Sequence, residues 1–124
     1  MPFSNDPKAV VQRQLDAFNA HDIDALLATY AEDAQMFEHP SKLLASGSAA
    51  FRERYVARFQ ETNLHAILLS RTAMGNIVVD YEEVSRTFPE GAGKIRLLMI
   101  YEVQHGRIAK AWSITGAKTL DKEP

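Results

Sequence analysis

The chain predicts an α+β fold in which three helices lie across a mainly antiparallel sheet. Three observations lead there. The first half carries apolar residues at helical spacing, as in Val10, Val11, Leu15 and Phe18. The second half alternates over long stretches bounded by Gly, Asn and Pro, as in YEEVSRTF, IRLLMIYEV and IAKAWSI. Within it Ile95, Leu97, Met99, Tyr101 and Val103 are all apolar and two apart, so they fall on one strand face. Such a face needs a cover, and the helices supply it. The expectation is a strongly curved sheet with three N-terminal helices over its mouth, forming a cone with room for a small molecule.

The elements follow in order. Asp6-Pro7 opens the first helix, with Asp as cap and Pro where no N–H is needed. Gln14 lies on or beside its apolar face, either as a rim residue or as a polar group placed in a pocket. Asn19-Ala20-His21 breaks this helix. Asp22 caps a second one, whose stripe is Ile23, Leu26, Leu27 and Tyr30. Gln35 to Glu38 reads as a short strand ended by His39-Pro40, and SKLLASG as a loop. Ser48 caps a third helix with Phe51, Tyr55 and Phe59 at intervals of four. Leu64 to Met74 and Ile77 to Phe88 are strands joined at Gly75-Asn76. A longer turn from Phe88 to Gly93 precedes strands over Lys94 to Val103 and Ile108 to Thr115. The core spans about 6–116, and 117–124 reads as a frayed tail.

Composition sets bounds. A length of 124 residues suits one domain spanning 1–124, and 46% apolar with 24% charged residues is ordinary for a globular protein. A net charge of −2 argues against nucleic acid as a partner. No apolar run nears the roughly 18 residues a membrane span needs, and MPFSNDPK lacks the apolar segment of a secretory signal. The absence of cysteine excludes thiol catalysis and fits the cytoplasm. The four histidines have no ligand-like spacing, so no metal site is expected.

Several local motifs then combine. LDAFNAHDIDALLATYAEDA, a strand ending at proline, a Gly-terminated loop before a helix, and YEVQHGRIAKAW together resemble the NTF2-like (cystatin-like) superfamily, in its SnoaL-like and steroid delta-isomerase-like branch. The resemblance covers about Lys8 to Ile114 and implies a homodimer without an organic cofactor. It also implies acid/base chemistry, an isomerase or lyase (dehydratase) reaction, on a small apolar molecule bearing a carbonyl. Ketosteroid isomerases use a tyrosine, an aspartate base and a protonated aspartic acid. Gln14, His39 and Met99 stand at those positions, so that constellation is not retained. A second branch, resembling scytalone dehydratase and a dehydrochlorinase, uses a histidine where His65 stands, with Asn19 or Asp22 nearest to the orienting acid.

The candidate acid/base residues are therefore His39 and His65. The candidate pocket residues are Gln14, Phe18, Tyr30, Phe51, Tyr55, Met99 and Trp112. Asp80, Glu82 and Arg86 share one face of their strand with Val78, Val84 and Phe88, which reads either as a half-solvated outer face with cross-strand ion pairs or as a patch at an interface or pocket mouth. The competing function is a non-catalytic ligand-binding or dimerisation module.

Overall fold

The computed structural model describes residues 4–121. Three helices, α1 (Pro7–Asn19), α2 (Ile23–Ala28) and α3 (Ser48–Arg58), accompany six strands. These are β1 (Tyr30–Glu38), β2 (Lys42–Ser46), β3 (His65–Met74), β4 (Ile77–Phe88), β5 (Gly91–Gln104) and β6 (Arg107–Leu120). They form one sheet in the order β2-β1-β6-β5-β4-β3. Every neighbouring pair is antiparallel except β1 and β6, which run parallel.

The two acidic caps form as the sequence predicts. Asp6 accepts from the Lys8 N–H and Asp22 from the Ala25 N–H, each satisfying one orphan donor of its helix. The helices cover the sheet face that carries Met36, Val78, Met99 and Tyr101, and Val10, Val11, Leu26 and Phe51 pack against it with 0–1% exposure. A second cluster joins Leu15 to Leu64, Ala66 and Val84.

Four expectations are corrected. The helices are not all N-terminal to the sheet, because β1 and β2 precede α3. SKLLASG is mostly strand: Lys42 pairs with Glu38 and Ser46 with Gln35, so the His39-Pro40 turn that ends β1 leads straight into a second strand. Tyr30 belongs to β1, not to the stripe of α2. Gly47, at φ 86°, is the cap residue of α3, a backbone conformation glycine adopts without strain, and Ser48 is the first helical residue.

The β4–β5 connection is also tighter than expected. Phe88 pairs with Gly91 across a two-residue turn at Pro89-Glu90. The frayed tail does not begin at 117: β6 continues to Leu120 opposite Gly93, and Lys118–Glu90 and Lys94–Asp121 ion pairs hold this end. Residues 122–124 of that expected tail lie outside the described residues. No helix among the described residues is long and apolar enough to cross a membrane.

Candidate functional site

A cavity of about 220 Å³ opens between the helices and the covered sheet face. From α1 come Gln14 and Leu15 and, one turn on, Phe18, on the side facing the sheet. From α3 come Arg54, Tyr55 and Arg58. The floor is the apolar row of β5, Ile95 to Tyr101, beside Glu82, Val84 and Arg86 of β4. Met36 and Glu38 of β1 and Ser113 and Thr115 of β6 complete the wall.

Glu82 is the chemically distinctive group. It is 5% exposed and lines the cavity, yet no described residue donates a hydrogen bond to its carboxylate. Loss of water, reinforced by the neighbouring Asp80 charge and only partly offset by Arg71, pushes its pKa up to about 7. Asp80, two residues earlier on the same face, has the opposite environment. Its carboxylate takes two bonds from Arg71, at 2.7 and 2.9 Å, and Arg71 also donates to Gln12 Oε1 at 2.8 Å. Asp80 is a fully buried carboxylate with a fixed countercharge. Glu82 is a buried carboxylate without one.

Beside Glu82 runs a chain of polar groups. The Tyr101 hydroxyl donates to Gln14 Oε1 at 3.4 Å, and Gln14 Nε2 donates to the Tyr30 hydroxyl at 3.4 Å. Tyr30 and Tyr55 hydroxyls lie 3.3 Å apart. Either hydroxyl can donate in this pair, because Tyr30 keeps a second lone pair after accepting from Gln14. When Tyr30 is the donor, the Tyr55 O–H is left for a ligand, since Tyr55 lines the cavity. Burial raises the pKa of all three phenols, so they stay protonated donors in neutral solution.

The expected pocket residues separate accordingly. Gln14 is 4% exposed and lines the cavity rather than facing water at its rim. Phe18, Tyr55 and Met99 also line it. Tyr30 is buried behind the wall and reaches it only through the hydrogen-bond chain. Phe51 is a core residue against Tyr30, with ring centroids 4.9 Å apart. Trp112 lies on the opposite sheet face, stacked on Phe37 at 5.8 Å.

Both candidate histidines fall outside the cavity. His39 is exposed in the β1–β2 turn, where its N–H bonds Ser113 O. His65 is exposed on β3, because Ala66 and Leu64 take the inward positions. Asn19 does not orient an imidazole; its amide bonds the main chain of Ala66 on both sides, at 2.8 and 2.9 Å. His21 is not a surface residue: it stacks on Phe59 and bonds Leu64 O at 2.8 Å. Asp80, Glu82 and Arg86 lie on the covered face, not the outer one. Among the described residues no three His, Asp or Glu side chains gather as a metal site.

A helix-covered sheet enclosing a small, mixed polar and apolar cavity defines a small-molecule-binding α+β fold. Residues 11–111 match the model of the SnoaL-like domain, and the chain belongs to that family, within the NTF2-like superfamily. Solved structures agree. A cystatin-fold protein from Novosphingobium aromaticivorans superposes with TM-score 0.79 at 19% identity, over 91% of this chain and 99% of that one. A candidate polyketide cyclase from Sinorhizobium meliloti gives 0.72 at 26% identity, over 85% and 93%. AclR, a candidate hydroxylase from Streptomyces galilaeus, gives 0.76 at 15%, over 89% and 88%.

Proposed function

We propose that the protein catalyses proton transfer on a small apolar carbonyl compound, as an isomerase or lyase, with Glu82 as the base. The observation that carries this is a cavity-facing carboxylate without a hydrogen-bond donor, its pKa pushed up to about 7. Glu82 takes a proton from the carbon next to the carbonyl. The C–H electron pair becomes the C=C of an enolate, and the charge goes to the carbonyl oxygen. The Tyr55 O–H, with the second N–H of Gln14 Nε2, stabilises that oxyanion. If the substrate carries a β,γ double bond, the protonated Glu82 returns the proton to the γ-carbon of the dienolate, giving the conjugated isomer. If it carries a β-substituent, the enolate re-forms the carbonyl as that group leaves with its bonding pair and takes the proton from Glu82, giving an alkene. A ring-closing reaction of the kind named for the Sinorhizobium neighbour also begins with such an enolate.

The test is α-proton exchange into D2O, followed by NMR, on a panel of small aryl and alicyclic ketones. Glu82→Gln should slow exchange by about a hundredfold or more, and Tyr55→Phe by roughly tenfold to a hundredfold. The wild-type rate should rise with pH through about 7, since the base must be ionised. Exchange that is unchanged in Glu82→Gln sinks the proposal.

A second reading, a dimerisation module, draws on the outer sheet face. Phe37, Trp112, Ile100 and Val79 stand opposite one another across four strands, with Ile114 38% and Ile67 49% exposed nearby. We read this face as the homodimer contact, compatible with catalysis on the other side of the sheet. Residence in the cytoplasm belongs to the same reading, on the lack of cysteine.

A further inference from the structure

We propose that Arg54 and Arg58 form an anion-binding subsite at the cavity mouth, so that the substrate is a small carbonyl compound carrying a carboxylate. The inference rests on the proton-transfer reading for the carbonyl and on separate observations for the anion.

Arg54 and Arg58 are four apart on α3, and so share one helix face. Both line the deep cavity and also an open depression beside it. They stand where a ligand passes from solvent to the interior.

Their charges are poorly matched by the protein. Glu61 approaches Arg58, but Arg86 holds its carboxylate through two bonds, at 3.0 and 2.7 Å, and the Thr87 N–H donates another at 2.9 Å. Arg58 keeps a single 3.8 Å approach to the same carboxylate. Arg54 has no ion pair among the described residues, though it is half-buried. Glu38 at the cavity and Glu53 at the depression are exposed, and neither takes a bond from these arginines. Burial and the adjacent Arg86 and Arg54 charges pull the Arg58 guanidinium below its ordinary pKa. An entering carboxylate relieves this like-charge crowding, and half-buried guanidiniums bind it in charge-assisted, two-pronged fashion.

The strand direction separates the two ends of such a substrate. Arg86 follows Glu82 by four residues on the same face of β4, about 13 Å along the strand at roughly 3.3 Å per residue. Arg58 shares Glu61 with Arg86 and so lies toward that end. The long arginine and glutamate side chains reach back over much of the span, so that a short oxo acid holds its carboxylate at the arginines with its carbonyl end at Glu82 and Tyr55. A neutral compound of the same shape lacks the first contact.

The experiment compares 4-oxo-4-phenylbutanoate with its methyl ester by titration calorimetry at pH 7.5. The acid should bind about tenfold tighter than the ester, or more. In Arg54→Gln/Arg58→Gln the two should bind alike, with the ester within about twofold of its wild-type affinity. Circular dichroism checks the fold, and the single variants replace the double one if it does not fold. Equal binding of acid and ester to wild type overturns the subsite. So does a preference that survives in the arginine variants, or binding of neither compound to the folded protein. Deuterium exchange on the same acid, in wild type and Glu82→Gln, reads the base separately. Selective binding without exchange keeps the subsite and removes the base; exchange without selectivity does the reverse.

Discussion

Glu82 illustrates how one side chain links stability to chemistry. Its carboxyl has an ordinary pKa of 4.5 when unfolded and about 7 in the folded chain. Below 4.5 the group is neutral in both states and burial costs little. Between 4.5 and 7 the unfolded chain has released the proton and the folded chain has not, so stability falls as pH rises. By pH 8 the loss reaches about 3 kcal/mol. Glu82→Gln, which mimics the neutral acid, should therefore match wild type near pH 4.5 and exceed it by about that amount at pH 8, measured by urea unfolding. A difference that does not change with pH would mean that Glu82 has an ordinary carboxylate environment. Its position was partly legible in sequence, since Glu82 shares parity with Val78 and Val84. What misled was chemical habit: a strand face with two acids and an arginine looks solvated. Asp80 and Arg71 cancel one another inside, which a single strand pattern does not reveal.

At the level of elements, the register of the β4–β5 hairpin decides what faces the cavity. A two-residue turn between Phe88 and Gly91 places Glu82 opposite Leu97 and Val84 opposite Ile95, on the apolar row already evident in β5. A longer turn leaves that register unspecified, and with it the inward face of β4. Helix existence was easier, because capping and spacing are local signals, as Asp6 and Asp22 show. The histidines failed for a related reason. Position His65 in sequence resembles a site, but the inward residues of β3 are its neighbours. The end of α1 meets this same strand through Asn19, whose amide bonds the outward N–H and C=O of Ala66 on the sheet's edge. Asn19→Ala leaves both groups without these partners. It should cost about 1–3 kcal/mol, read as a lower midpoint in denaturant. A larger loss of amide-exchange protection at Ala66 than at Tyr101 would locate the effect at this contact.

For the whole molecule, the two sheet faces have different tasks. The covered face holds the cavity, and the opposite face presents a row of large apolar side chains that includes Trp112, the single tryptophan of the chain. If copies associate through this face, Trp112 leaves water. Its emission should shift to the blue as concentration rises, in step with dimer formation measured by sedimentation. Lys in place of Ile114 should abolish both. A dimer whose emission does not change would place the contact elsewhere. The general architecture was legible because alternation and helical spacing are strong signals, whereas which face is inner depends on pairing between distant strands. That pairing has a consequence for how the molecule is made. The last strand in chain order, β6, is inserted between β1 and β5, beside the earliest strand on one side and its immediate predecessor on the other. Among the described residues, the ribbons β1–β2 and β3–β4–β5 pair with each other only through β6. A sheet joined through contacts of such long sequence separation is expected to fold more slowly than one closed by local pairings alone, which stopped-flow refolding measures. A chain stopped short of Arg107 would lose the strand that joins the two ribbons within the sheet, leaving only the helices and the covered core between them.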